Sequence, residues 1–173
     1  GYRYLTTYQL ATVIFDLTAD FCSRFIDKRS RTYDQMIQAG RSGKQNIVEG
    51  YSQGTSLKGY IKLLGVSKGS FQELLEDYED YLRQRKLELL GKEDPKIREF
   101  RTFRVFRDSK GSLNSPISLI DPNNPKEFSN LLITILRQEL FLLNQQIKAL
   151  EEKFVKEGGF TESLFKRRLN YRG

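Results

Sequence analysis

The sequence predicts an all-α protein, an up-and-down antiparallel four-helix bundle with a short helix and a loop inserted before the last long helix. Three observations carry that prediction. All four prolines (Pro95, Pro116, Pro122, Pro125) fall within one 31-residue stretch, leaving residues 1–94 and 126–173 free of them. Proline removes a backbone donor and clashes with the preceding helical turn, so the long helices belong on either side of that stretch. Apolar residues recur at spacings of three and four through four long segments, the period of a single helix face. Strand alternation is weak throughout. The 173 residues form a single domain, 1–173, within the usual range of roughly 100–200 residues. A chain of this length buries about 70% of its extended surface and needs neither a disulfide nor a metal to fold.

The first helix is expected from about Thr7 to Lys28, with Ala11, Ile14, Thr18, Phe21, Cys22 and Phe25 along its stripe. The single cysteine lies on that stripe and reads as a small buried hydrophobe. The second helix is expected over Tyr33 to Glu49, with Met36, Ile37, Gly40, Gly43, Lys44 and Ile47 on its inner face, closed by a turn through Gly50 and Gly54. Glycine costs about 1 kcal/mol against alanine inside a helix, so Gly40 and Gly43 imply a close neighbour. Ser56 caps a third helix running to about Leu90, where Gly65 and Gly69 repeat the close-approach signal. Asp94-Pro95 opens a short helix to about Phe106. Residues 108–124 are a loop whose apolar patch, Ile117 to Ile120, tucks onto the bundle. Asn124-Pro125 caps the last long helix, about 126–157, with Phe128, Leu132, Ile135, Leu136, Leu143, Ile147, Leu150 and Phe154 as its seam. Gly158-Gly159 ends it, and Thr161 caps a final short helix in a basic tail, 160–173.

Composition narrows the chemistry. The chain has no His, which excludes His-based triads, His-ligated zinc or di-iron centres and imidazole proton shuttles. Ser and Cys nucleophiles have no imidazole partner. Gly40-Arg41-Ser42-Gly43-Lys44 resembles half of a phosphate-binding loop, but Gln38 and Gln45 stand where that signature needs Gly and Ser or Thr. The chain is therefore expected to be non-enzymatic, with no cofactor and no metal. Near the start, Tyr4 to Phe15 is an uncharged run of 12 residues, well short of the roughly 20 that span a bilayer. It has no basic leader or small-residue cleavage site, so no membrane partner is expected. One Cys and no export signal point to the cytoplasm.

The net charge of +7 points to an acidic partner. Arg98, Arg101, Arg104 and Arg107 alternate with Ile97, Phe100, Phe103 and Phe106 at a period of three. On a helix this makes adjacent, slowly spiralling stripes of rings and guanidinium groups. Arginine forks match phosphate oxygens, and rings between them can stack on unpaired bases. The opposing reading packs the rings on the bundle and leaves the arginines in water. Further basic candidates are Arg41 and Lys44 on the second helix and Lys58 and Lys62 on the third. The tail adds Lys166, Arg167, Arg168 and Arg172 against Glu162, a net of +3. Glu73, Glu76, Asp77 and Asp80 share one acidic face of the third helix. That face is solvated, or holds metal, or docks against a basic face of another subunit; subunit contact is the functional expectation.

Two stretches carry a resemblance: Gln35 to Gly50, and Tyr60 to Leu74. Both resemble the bacterial four-helix-bundle proteins encoded in intervening sequences of large-subunit ribosomal RNA genes. That family is related to the accessory variability determinant of diversity-generating retroelements. Asn46-Ile47-x-Glu49-Gly50 and Gly69-Ser70-x-x-Glu73-Leu74 carry most of the match, which covers roughly residues 8–90. Phe154 to Arg168 resembles a C-terminal extension of one branch. The resemblance implies a non-enzymatic homopentamer with a basic surface that binds nucleic acid and, in the retroelement branch, a reverse transcriptase. The 95–125 insertion and long tail depart from the short members. Asn46 and Glu49 are motif positions and read as structural. The functional expectation is an oligomeric basic scaffold that binds structured RNA through its phosphates. The alternative is a protein-interaction module serving a reverse transcriptase.

Overall fold

The computed structural model describes residues 1–53, 56–157 and 159–173. The fold is all-α, with α1 at Thr6–Phe25, α2 at Arg31–Ser52, α3 at Leu57–Gln84, α4 at Pro95–Phe100, α5 at Pro125–Glu157 and α6 at Gly159–Arg172. Short 3₁₀ turns at Tyr2–Tyr4 and Pro116–Leu119 complete it, and no strand occurs among the described residues. The four long helices α1, α2, α3 and α5 form a closed cycle of neighbours. Every adjacent pair is antiparallel. Cys22 meets Met36 while Lys44 reaches the Tyr8 ring, which opposes α1 and α2. Ser42 meets Ser70 while Tyr60 packs on Gly50, which opposes α2 and α3. Gln146 bonds both Tyr60 and Thr7, and Asn130 bonds the chain just after α3, which sets α5 against α3 and α1. This is the up-and-down bundle. No helix among the described residues is long and apolar enough to cross a membrane.

The periodic positions supply the core. Ala11, Ile14, Phe21 and Cys22 of α1 are fully buried, as are Met36 and Ile47 of α2, Leu64, Phe71 and Leu74 of α3, and Phe128, Leu132 and Ile135 of α5. Phe21 is the hub of one end, with Tyr78, Tyr81 and Phe128 edge-on to it at 4.9, 5.0 and 5.5 Å between centroids. The Tyr78 hydroxyl donates to Thr18 Oγ1 at 2.9 Å, so its one polar atom is satisfied inside the core. Cys22 is buried, and burial pushes its thiol up to about 12, leaving a packed hydrophobe rather than a nucleophile.

The glycines divide. A β-carbon at Gly43 would overlap the Phe71 ring, and one at Gly40 would press on Phe15 Cδ2 at 3.3 Å. The close neighbours are therefore side chains that fill the space a β-carbon would take. Gly65 and Gly69 correct the expectation for α3, because no atom lies within 4 Å of a β-carbon built at either. Opposite outcomes follow. Gly43→Ala lowers stability by about 1–3 kcal/mol through overpacking. Gly65→Ala and Gly69→Ala each raise it by about 0.5–1 kcal/mol through helix propensity. Urea denaturation midpoints of the three variants check the contrast.

The helix ends also differ from expectation. α1 stops at Phe25, short of Lys28, and α2 runs on through Gly50 to Ser52. Gly50 is a buried packing position rather than a stop. The expected turn at Gly54 and the break at Gly158 lie outside the described residues. α6 begins at Gly159, ahead of the expected Thr161 cap. α3 ends at Gln84 rather than Leu90 because Lys86 adopts φ +55°. Lys86 N–H then donates to Arg83 O, and Leu87 N–H to Leu82 O at 2.8 Å, the paired bonds of a Schellman stop. The segment after it lies along α5, where Asn130 Oδ1 accepts from Leu90 N and Asn130 Nδ2 donates to Glu88 O.

The largest correction concerns the basic repeat. α4 ends at Phe100, not Phe106. Ile97, Phe100 and Phe103 are all buried on the bundle. A period of three drifts off one face of a 3.6-residue helix, so the chain leaves the helix to keep all three inside. Beyond Phe103 it runs into a hairpin-like loop closed by an Arg107–Leu113 bridge, with Gly111 at φ +85°. Asn114 Oδ1 accepts from Phe106 N and Asn114 Nδ2 donates to Arg104 O, replacing helical bonds. The Pro116–Leu119 turn and the buried Ile120 tuck the loop onto the bundle as expected.

Candidate nucleic-acid interface

Breaking the repeat separates its arginines. Arg98 stays on α4 and pairs with Glu93 at 2.7 Å. Arg107 donates to Gly111 O within the hairpin loop, at 2.6 Å. Arg101 and Arg104, on the turn after α4, instead meet α5 across a groove of about 720 Å³. Lys92 and Arg137 complete a set of four cations lining it, and no carboxylate lines it among the described residues. Ile97 and Leu142 give the groove an apolar floor, while Thr6 and Gln138 add polar groups. Phe141 also lines it and is 61% exposed.

The local geometry leaves three of these four cations without a neutralising partner among the described residues. Arg104 donates to the carbonyls of Arg101 and Phe103, each at 2.8 Å, which orients its guanidinium and leaves its charge intact. Gln138 Nε2 donates to Arg101 O at 3.3 Å and ties the turn to α5. Lys92, Arg101 and Arg104 have no ion-pair partner among the described residues, and Arg137 has a long one, to Glu79 at 3.7 Å. Unneutralised like charges beside a low-dielectric floor concentrate a field that favours an anion. Thr6, the first residue of α1, also lines the groove, and Leu5 before it supplies no side-chain cap.

The remaining basic candidates are scattered. Arg41, Lys58 and Lys62 are exposed on α2 and α3. Lys44 is half-buried against α1, with its ammonium 5.6 Å from the Phe15 ring centroid and 5.9 Å from that of Tyr8, so it acts in packing. Lys166, Arg167, Arg168 and Arg172 are exposed on α6, where the last three border a hollow of about 410 Å³ with Leu164 and Tyr171. None of these joins the groove. Sequence reasoning missed Lys92, Arg137 and Phe141. The available signal was Phe141 itself, an aromatic four residues from an arginine and off the apolar seam of α5.

The acidic face of α3 is partly sunk. Glu73 and Glu76 are exposed, while Asp77 and Asp80 line a hollow of about 230 Å³ beside Met36 and Tyr81. Burial, reinforced by Asp80, Glu73 and Glu76, pushes the Asp77 carboxyl up to about 6. Asp80 pairs with Arg83 at 2.7 Å. Among the described residues no three His, Cys, Asp or Glu side chains are grouped to hold a metal ion. The motif residue Asn46 donates to Ser42 O at 2.8 Å and to Ser42 Oγ at 3.1 Å, and Ser42 reaches Ser70 on α3, a contact within the bundle.

Behind the groove, on the inward side of α5, Glu139 is completely buried, and neither carboxylate oxygen has a hydrogen-bond partner. Burial holds its carboxyl well above the usual carboxylate range.

Comparison with protein-family models, with curated proteins and with solved structures finds no match to this chain. The functional reading therefore rests on the residues and their geometry.

Proposed function

We propose that this chain is a non-enzymatic basic scaffold that binds structured RNA through phosphates, with the groove between α5 and the 92–104 segment as its principal contact. One observation carries the reading: Lys92, Arg101, Arg104 and Arg137 converge on one groove that no described carboxylate lines. Arginine is suited to the task because its planar fork stays charged and grips phosphate oxygens in pairs. Binding of this kind releases counterions, so its affinity falls with salt in proportion to the phosphates neutralised. The test is fluorescence anisotropy of a labelled RNA hairpin across a salt series. A steep linear loss is expected, and an affinity flat in salt contradicts the reading. The family resemblance adds an oligomer, a pentamer, whose copies present several grooves to one RNA. Light scattering that returns a monomer removes that part.

A second reading, an accessory subunit docking a protein such as a reverse transcriptase, draws support from a different surface. On α6, Phe165, Leu169 and Tyr171 are 62%, 54% and 95% exposed, and the acidic face of α3 offers the opposite charge for contact between subunits. Under this reading Glu76→Lys with Asp77→Lys disrupts assembly more than changes to the groove arginines do. Size-exclusion chromatography of both variants separates the two readings.

A further inference from the structure

Phe100 and Phe103 are buried, so the rings of the basic repeat on that turn are spent on packing. The groove nevertheless has an aromatic ring at its mouth. Phe141 lies on α5 one helical turn beyond Arg137, is 61% exposed, and lines the same hollow as Arg101 and Arg104. Phe141 is not among the apolar residues packed against the core. Next to four cations and an apolar floor it offers a flat surface beside phosphate-binding groups, the combination that tracks a single strand.

We infer that the groove seats an unpaired RNA nucleotide, its base stacked on Phe141 and its flanking phosphates held by Arg101, Arg104 and Arg137. This rests on the proposed RNA-binding role and deepens it by naming the strand state. A volume of about 720 Å³ suits a small-molecule-sized unit such as one nucleotide, since ligand sites run about 300–1,000 Å³. A duplex keeps its base faces stacked internally and offers only phosphates, which the cations bind alone. Stacking adds affinity only where a base is free, so loops and ends of a folded RNA are preferred over its stems.

The experiment measures anisotropy with a single-stranded RNA and a fully paired duplex of equal length. It compares the full chain with Phe141→Ala, with Phe141→Tyr and with Arg101→Ser/Arg104→Ser. Phe141→Ala should weaken single-strand binding by roughly five- to 150-fold, the worth of one stacked base. Duplex binding should stay unchanged, and Phe141→Tyr should restore the single-strand affinity. Equal loss on both RNAs, or no loss on either, overturns the stacking inference. If the arginine variant still weakens both RNAs, the phosphate reading stands without it. An arginine variant that binds both RNAs like the parent chain removes the reading and the inference together. Phe141 is exposed, so an unchanged melting temperature shows that the Ala variant is folded.

Discussion

Replacing Arg101, Arg104 and Arg137 together with serine lowers affinity for an RNA hairpin about a hundredfold at roughly 0.15 M salt. The magnitude follows from counterion release. Each phosphate contact contributes a slope of about 0.9 in log affinity against log salt on a duplex and about 0.7 on a single strand. Between a reference near 1 M, where the release term vanishes, and about 0.15 M, each contact is therefore worth about 0.6–0.7 decade. Three contacts give about two decades, and the salt slope drops by about 2.1 on an unpaired segment and about 2.7 on a stem. The side chains are exposed or on the groove rim, so the thermal midpoint stays close to that of the parent chain. The same triple change on α6, at Arg167, Arg168 and Arg172, has the smaller effect, because those arginines border a separate hollow and none lines the groove. Titrations at several salt concentrations measure both quantities.

Replacing Glu139 with leucine stabilises the protein by about 1–3 kcal/mol, the cost of a buried polar group without a partner. The effect carries a pH signature. The folded protein keeps the Glu139 proton that the unfolded chain releases above the ordinary carboxylate value, because burial raises the folded pKa. The native state then binds more protons than the unfolded state, and stability falls as pH rises through that window. A full proton difference gives a slope of about 1.4 kcal/mol per pH unit. Asp77 adds a smaller slope of the same sign, ending near pH 6, and its half-exposed position weakens it. The parent chain is therefore more stable near pH 5 than near pH 8, and the leucine variant has a flatter profile. Urea denaturation across that range checks it. A leucine variant less stable than its parent, or one with the parent's slope, contradicts the account of Glu139.

The bundle was legible because its signals are local and repetitive. The seam of α5, from Phe128 through Leu132, Leu136 and Leu143, can be read by counting, and all four residues are buried. Glu139 stands on that same seam, three residues after Leu136 and four before Leu143, so an acid in the core was visible in the spacing. The end of α3 was not legible. Its Schellman stop uses a lysine at the left-handed position, where glycine is the usual signal. The basic repeat misled for a physical reason: burying Ile97, Phe100 and Phe103 at a period of three outweighed continued helix formation. The groove could not be read at all as a unit. Arg101 and Arg137 are far apart in the chain and meet because Asn130 and Gln138 tie the segment after α3 to α5.

The measurement that tests the groove most directly is ultraviolet crosslinking of the full chain to a structured RNA, followed by mass spectrometry of the crosslinked peptides. The account predicts crosslinks concentrated at Phe141 and in peptides spanning 92–104 and 134–142, lost when Arg101, Arg104 and Arg137 are replaced. Crosslinks confined to α6 or to the exposed lysines Lys58 and Lys62, and indifferent to those three arginines, would contradict it.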